Sequence, residues 1–188
     1  MNTLLKVSLL LLFAFSCNGQ ELKNNFISAK LGFGKIESRI YGQSFDFGLG
    51  RHISKGLYGI ANFSKTTASN DRSDLLTDDT TSPYTSTPGD IMIMSNYSLG
   101  LKKYIRLGPS LLFAGSLSAL SSSVSQRFME IIEENKIGPV YAEYKTIGAR
   151  INIEAIYFVS ASVSFNAGLQ YNTSPQLMML NLGANTWF

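Results

Sequence analysis

Charge is what this sequence has least of. Only 15% of its 188 residues are Asp, Glu, Lys or Arg, although 45% are hydrophobic and 12% aromatic; an average soluble domain carries about 25% charged residues. A water-soluble fold of this size would need more. The net charge of +3 is small and no basic face or stripe occurs, which excludes a nucleic-acid partner. Histidine and cysteine each occur once, as His52 and Cys17, so no intramolecular disulfide can form. The sequence points to no cofactor, no metal centre and no catalytic constellation. Beyond residue 20, no apolar run approaches the roughly 20 residues that a membrane helix needs.

What is present begins with "MNTLLKVSLLLLFAFSCNGQE". A lone Lys6, an apolar stretch from Val7 to Phe15 and then small and polar residues read as a secretory signal peptide, too short in its apolar part to cross a bilayer as a helix. Cys17 and Gly19 are small residues where the peptidase needs them, so cleavage after Gly19 would divide the chain into a signal peptide (1–19) and one mature domain (20–188). "AFSC" also resembles a bacterial lipobox, in which Cys17 would be lipidated; Phe15 and Ala14 fit that pattern poorly.

The mature chain is dense in apolar residues at every second position. In "SVSFNAGLQY", Val163, Phe165, Ala167, Leu169 and Tyr171 share one face, while Ser162, Ser164, Asn166, Gly168 and Gln170 share the other. "ISAKLGF", "YGQSFDFGLG" and "TIGARINIEA" repeat the pattern, and "IMIMSNYSLGLKK", "SLLFAGSLSALSSS" and "MLNLGANTWF" follow it less cleanly. "LYGIANFSK" is apolar on both sides and takes its place by context. Eight strands result. Three similar polar corners, around Ile53, Ile105 and Val159, lie about 52 and 54 residues apart, so the chain behaves as successive hairpins. The other connections read as longer: Lys35 to Arg39, Thr67 to Asp90, Val124 to Pro139 and Asn172 to Pro175.

Short turns at one end, longer loops at the other and an even number of strands are the pattern of an antiparallel up-and-down transmembrane β-barrel. A sheet facing lipid cannot leave an edge unpaired, so the last strand must close on the first. The final "NLGANTWF" resembles the signal by which the barrel assembly machinery recognises its clients, with Asn181, Gly183 and Phe188 matching and Thr186 departing from the usual larger apolar residue. With the corners and the alternation, the chain resembles the small eight-stranded outer-membrane β-barrel proteins of Gram-negative bacteria, the OmpX/OmpA type, across residues 25 to 188. That resemblance implies an all-β barrel in the cell outer membrane, surrounded by lipid and lipopolysaccharide. A lipocalin-like soluble barrel also has eight strands, but its outside must be charged; here the polar sides are Ser, Asn and Gly with few charges.

On this assignment Lys30, Asp46, Arg150 and Glu154 point into the lumen and form a polar network, because eight strands leave an interior just wide enough for side chains. The alternative is a narrow path for small solutes. "HIS" at His52 to Ser54 resembles the H-x-S of lipid A deacylases, but Thr66 stands where an acidic partner belongs and the motif falls at a corner away from the outer leaflet. A palmitoyltransferase would need a histidine near the outer surface, and there is none. The acidic loop within 67–90 does not reproduce a calcium-binding spacing. The loop within 124–139, with Phe128, Met129, Ile131 and Ile132, is too apolar to be mere solvent-facing chain; it reads as a short helix or a strand extension offering an edge to a partner. The function that follows is a non-enzymatic membrane scaffold displaying loops 67–90 and 124–139 for surface interaction or envelope integrity.

Overall fold

Alternation in sequence becomes inside and outside in space. The computed structural model describes residues 23–36, 40–70, 90–133 and 136–188; the expected signal peptide and the acidic stretch 71–89 lie outside the described residues. Eight strands, β1 (Asn25–Ile36), β2 (Ile40–Ser54), β3 (Leu57–Asn70), β4 (Asp90–Arg106), β5 (Leu111–Glu133), β6 (Lys136–Phe158), β7 (Val163–Thr173) and β8 (Gln176–Trp187), close into one antiparallel barrel in sequence order. This is the expected all-β, eight-stranded up-and-down architecture.

The closing seam answers to the terminal octapeptide. β8 pairs with β1 from Phe26↔Trp187 to Ile36↔Leu177. Reciprocal bonds of 2.9 and 3.0 Å join the backbones of Asn25 and Phe188. No strand edge is left along the barrel wall, which is the condition for a sheet in lipid.

Facing directions follow parity. Leu31, Phe45, Leu99, Leu117, Ile153 and Phe165 all point outward and are between 48% and 69% exposed, whereas Ser44, Asp46, Asn96, Ser118, Arg150 and Asn166 are buried inside. Monomeric soluble proteins do not expose a contiguous apolar belt of this extent. Tyr41 and Tyr171 lie toward the loop end and Tyr157 and Phe188 toward the turn end, all exposed, as the aromatic girdles of a membrane barrel do.

The predicted corners at 55–56, 107–110 and 159–162 are the short turns, on the side where β1 begins and β8 ends. Three of the expected loops are shorter than the sequence suggests, and for 124–139 the strand extension is the reading that holds. The stretch 124–139 is mostly strand: β5 and β6 run 23 residues each and pair as far as Glu133↔Lys136, and Thr67 to Asn70 likewise belongs to β3. The Asn172 to Pro175 connection is also shorter than expected, because β7 reaches Thr173 and β8 starts at Gln176. Sequence reasoning ended the strands where the lipid-facing alternation ends, but backbone pairing continues past that point once a hairpin partner is in register.

Candidate functional site: a filled lumen and a projecting hairpin

The lumen is layered. At the turn end, Phe26, Tyr58, Tyr104 and Trp187 are all buried and pack with Phe158 into an aromatic plug. Trp187 is its hub, with ring centroids 5.0 Å from Phe26, 5.4 Å from Tyr104, 5.4 Å from Phe158 and 6.0 Å from Tyr58. Its indole N–H donates to Ser164 Oγ at 2.9 Å, so the buried ring carries no unmet donor. At the loop end, Ile36, Met92, Met94, Val124, Leu177 and Met179 form a second apolar layer, completed by Ala68.

Between the plugs lies the charged layer. Asp46, Glu154, Lys30 and Arg150, the residues expected to meet inside, do meet there, but across the lumen rather than along the sheet. Lys30 is directly opposite Asp46 in the β1–β2 ladder, yet its ammonium pairs with Glu154 on β6. Arg150, fully buried, places Nη1 2.8 Å from Asp46 Oδ2 and donates from Nη2 to Ser64 Oγ at 2.8 Å and from Nε to Asn172 Oδ1 at 3.2 Å. All three guanidinium nitrogens are thereby engaged, which is what makes a buried arginine tolerable.

A fifth charge completes the layer. Lys102 Nζ lies 2.7 Å from Glu154 Oε2 and 5.5 and 5.2 Å from the ring centres of Phe26 and Tyr104. One carboxylate thus holds two ammonium groups, and Lys102 joins the ionic layer to the aromatic plug. Sequence reasoning missed it, although extending the β4 alternation of outward Tyr97, Leu99 and Leu101 by one step places Lys102 inside. Trp187 was missed in the same way, since Asn181, Gly183 and Asn185 set its parity.

Neighbouring amides extend the network. Asn96 donates to Ser64 Oγ at 3.2 Å, Asn181 to Gln170 Oε1 at 3.1 Å, Asn166 to Asn185 Oδ1 at 2.9 Å and Asn185 to Ser164 Oγ at 3.1 Å. Glycines make room for the ion pairs. A Cβ on Gly183 would lie 2.7 Å from Lys30 Cγ, and one on Gly168 2.8 Å from Glu154 Cγ, so a larger residue at either place would displace the side chains that carry the charge.

Of the terminal residues, Asn181 and Gly183 therefore face the lumen and Phe188 the outside. His52 stacks edge-on to Tyr58 at 5.2 Å, and Thr66 is buried. Of the acidic stretch, Asp90 begins β4, and residues 71–89 fall outside the described residues.

The second feature is the hairpin. β6 pairs with β7 only from Arg150 to Phe158, but with β5 from Lys136 to Tyr157. The Ala149 N–H points toward β7, where Thr173 Oγ accepts it at 2.8 Å. Alternate residues in an antiparallel ladder aim their backbone groups the same way, so Tyr141, Glu143 and Lys145 turn theirs to that side too. Among the described residues no strand covers them. Outward-facing Ser123 and Ser125 on β5 stand opposite Lys145 and Glu143, a polar surface above the apolar belt.

An apolar exterior, a polar interior and full closure define a transmembrane β-barrel of the eight-stranded outer-membrane type. No protein-family model and no curated protein matches the chain. Solved structures do. Neisserial surface protein A matches with a TM-score of 0.60 at 13% identity, over 91% of this chain and 100% of that one. The attachment invasion locus protein of Yersinia pestis matches with a TM-score of 0.53 at 10% identity, over 89% and 99%. A de novo designed transmembrane β-barrel also matches, with a TM-score of 0.54 at 12% identity over 90% of this chain and 98% of that one. A fold shared with a designed barrel is shared architecture, and function must be argued from the lumen and the hairpin.

Proposed function

We propose that the protein is a non-enzymatic scaffold of the cell outer membrane, whose sealed barrel holds the β5–β6 hairpin clear of the lipid so that its free edge binds an extended segment of a surface partner. The observation that carries this reading is the hairpin itself. A strand needs about 9–11 residues to cross a bilayer, β5 and β6 have 23 each, and the surplus leaves Tyr141, Glu143 and Lys145 with backbone groups open to strand addition. A second surface contact through 67–90, the surrounding lipopolysaccharide and recognition of Asn181, Gly183 and Phe188 by the barrel assembly machinery belong to the same proposal.

The small-solute channel is the poorer reading, because apolar layers lie on both sides of the ionic layer. Two measurements test the scaffold. In planar bilayers the purified protein should give no reproducible single-channel steps. Replacing 126–142 by an Asn-Gly turn, which joins residues that face each other in the ladder, should leave barrel insertion intact and abolish adhesion or aggregation of cells producing the parent. Stable conductance steps, with adhesion unchanged in the trimmed variant, would overturn the scaffold in favour of the pore.

A further inference from the structure

The outer wall at the turn end of β2, β3 and β4 is not smooth. Gly59 and Ala61 face outward from β3 with little or no side chain, leaving a depression of about 910 Å3 walled by Leu49, Ile53, Leu99 and Phe188. A bare depression in a lipid-facing wall is filled by whatever acyl chain lies against it, since an unfilled gap forfeits dispersion contacts. The end of this one carries charge. Arg51 lines it, is exposed, and has no side-chain partner among the described residues.

Two further cations stand on the same sector. Lys55 sits in the β2–β3 turn, and Lys103, paired with Leu57 across the β3–β4 ladder, donates from Nζ to the Lys55 carbonyl at 2.5 Å. The charged side chains described at the turn end share this sign. Lys23, Arg51, Lys55, Lys103 and Arg106 lie there, and among the described residues no acidic side chain does; Asp46 and Glu154 are inside the lumen, and Glu143 is at the opposite end.

We propose that this groove is a binding site for an anionic glycerophospholipid of the turn-side leaflet, with an acyl chain over Gly59 and Ala61 and the phosphate against Arg51, Lys55 and Lys103. An apolar slot ending in a cationic rim at the level of the membrane surface is complementary to that one molecule in both halves. Arginine supplies a fork for phosphate oxygens, and the lysines add point charge at an interface where a negative headgroup is attracted. The barrel contains its own comparison. A second outer groove, over Ala29, Ala155, Ala167 and Ala184, has a volume of about 710 Å3, but its only lining cation, Lys30, is turned inward to Glu154. That groove should hold lipid without headgroup preference.

The inference rests on the barrel spanning a membrane, and the test separates the two. The purified full chain is reconstituted in phosphatidylcholine vesicles with trace spin-labelled phosphatidylglycerol or phosphatidylcholine, and electron paramagnetic resonance reads the motionally restricted fraction. Phosphatidylglycerol should be preferred about fivefold or more at low salt, an interfacial cation contributing roughly that factor. The preference should fall to parity in Arg51→Gln/Lys55→Gln/Lys103→Gln. Ala61→Leu, which fills the slot and keeps every charge, should lower the restricted phosphatidylglycerol by itself, with folding verified by mobility on gels. Equal restriction of both lipids by the parent, or a preference retained by the triple variant, would overturn the site. So would loss of the preference in millimolar inorganic phosphate but not in chloride of equal ionic strength, because the groove would then read a free anion. Absence of any restricted lipid would instead overturn the membrane-spanning reading on which the site depends.

Discussion

Glu154→Gln is the substitution that asks most of this structure. The side chain keeps its size and loses the charge that holds both Lys30 and Lys102. At the 2.7 Å separation of Lys102 Nζ and Glu154 Oε2, the attraction is about 6 kcal/mol for an effective dielectric constant near 20, and desolvation of the ions offsets most of it. Removing one partner leaves that desolvation uncompensated. The expected loss is therefore about 3–5 kcal/mol, against about 0–1 kcal/mol if water filled the lumen and screened the ions. Lys102→Met is the matching control. It leaves Lys30–Glu154 and Arg150–Asp46 as two balanced pairs and sacrifices the contacts of Lys102 with the Phe26 and Tyr104 rings, so its cost should stay near 1 kcal/mol. Denaturant titration in lipid vesicles, followed by fluorescence of Trp187, the single tryptophan, measures both. A Glu154→Gln loss below about 1 kcal/mol would refute the dry, ion-paired interior.

Phe165→Arg, on the exposed face of β7, should cost about 2–4 kcal/mol near the bilayer midplane. Asn166→Ser, one residue along and facing inward, gives up the bond to Asn185 and should cost about 1 kcal/mol; equal yields of folded membrane protein would show the facing directions to be wrong. Gly183→Ala brings a Cβ to 2.3 Å from the Ala29 carbonyl oxygen and should destabilise the closing seam by about 1–3 kcal/mol in the same titration. Removing Phe188 deletes the backbone bonds to Asn25 together with an interfacial ring, so outer-membrane levels measured by fractionation and blotting should fall steeply, and less for Phe188→Tyr. Unchanged levels of the deletion would count against this residue as part of an assembly signal.

The barrel was legible because its two solvents impose a period of two. In β7 each residue of "SVSFNAGLQY" from Val163 onward could be assigned a face from sequence, since lipid demands apolar side chains outside and an eight-stranded interior admits polar ones. The four expected lumen residues could be named on the same ground. What parity does not carry is distance across the lumen. Lys30 faces Asp46 in the ladder and pairs with Glu154, because which charges meet depends on barrel radius and stagger rather than on spacing along the chain. Lys102 and Trp187 escaped notice where alternation continues beyond the apolar belt into the plugs. The hairpin was legible only as one of two readings, a short helix or a strand extension: past Leu120 the outward residues of β5 become serines, so the hydrophobic signal stops while the hydrogen-bonded ladder goes on to Glu133.

The most direct test of the central claim, a sealed barrel closed by β8 on β1 and embedded in lipid, is membrane fractionation combined with electrophoresis of unboiled and boiled samples. A closed barrel resists unfolding in detergent until heated, so the protein should be recovered in the outer-membrane fraction and migrate faster unboiled than boiled. Recovery in the soluble fraction, or one mobility regardless of heating, would contradict the account.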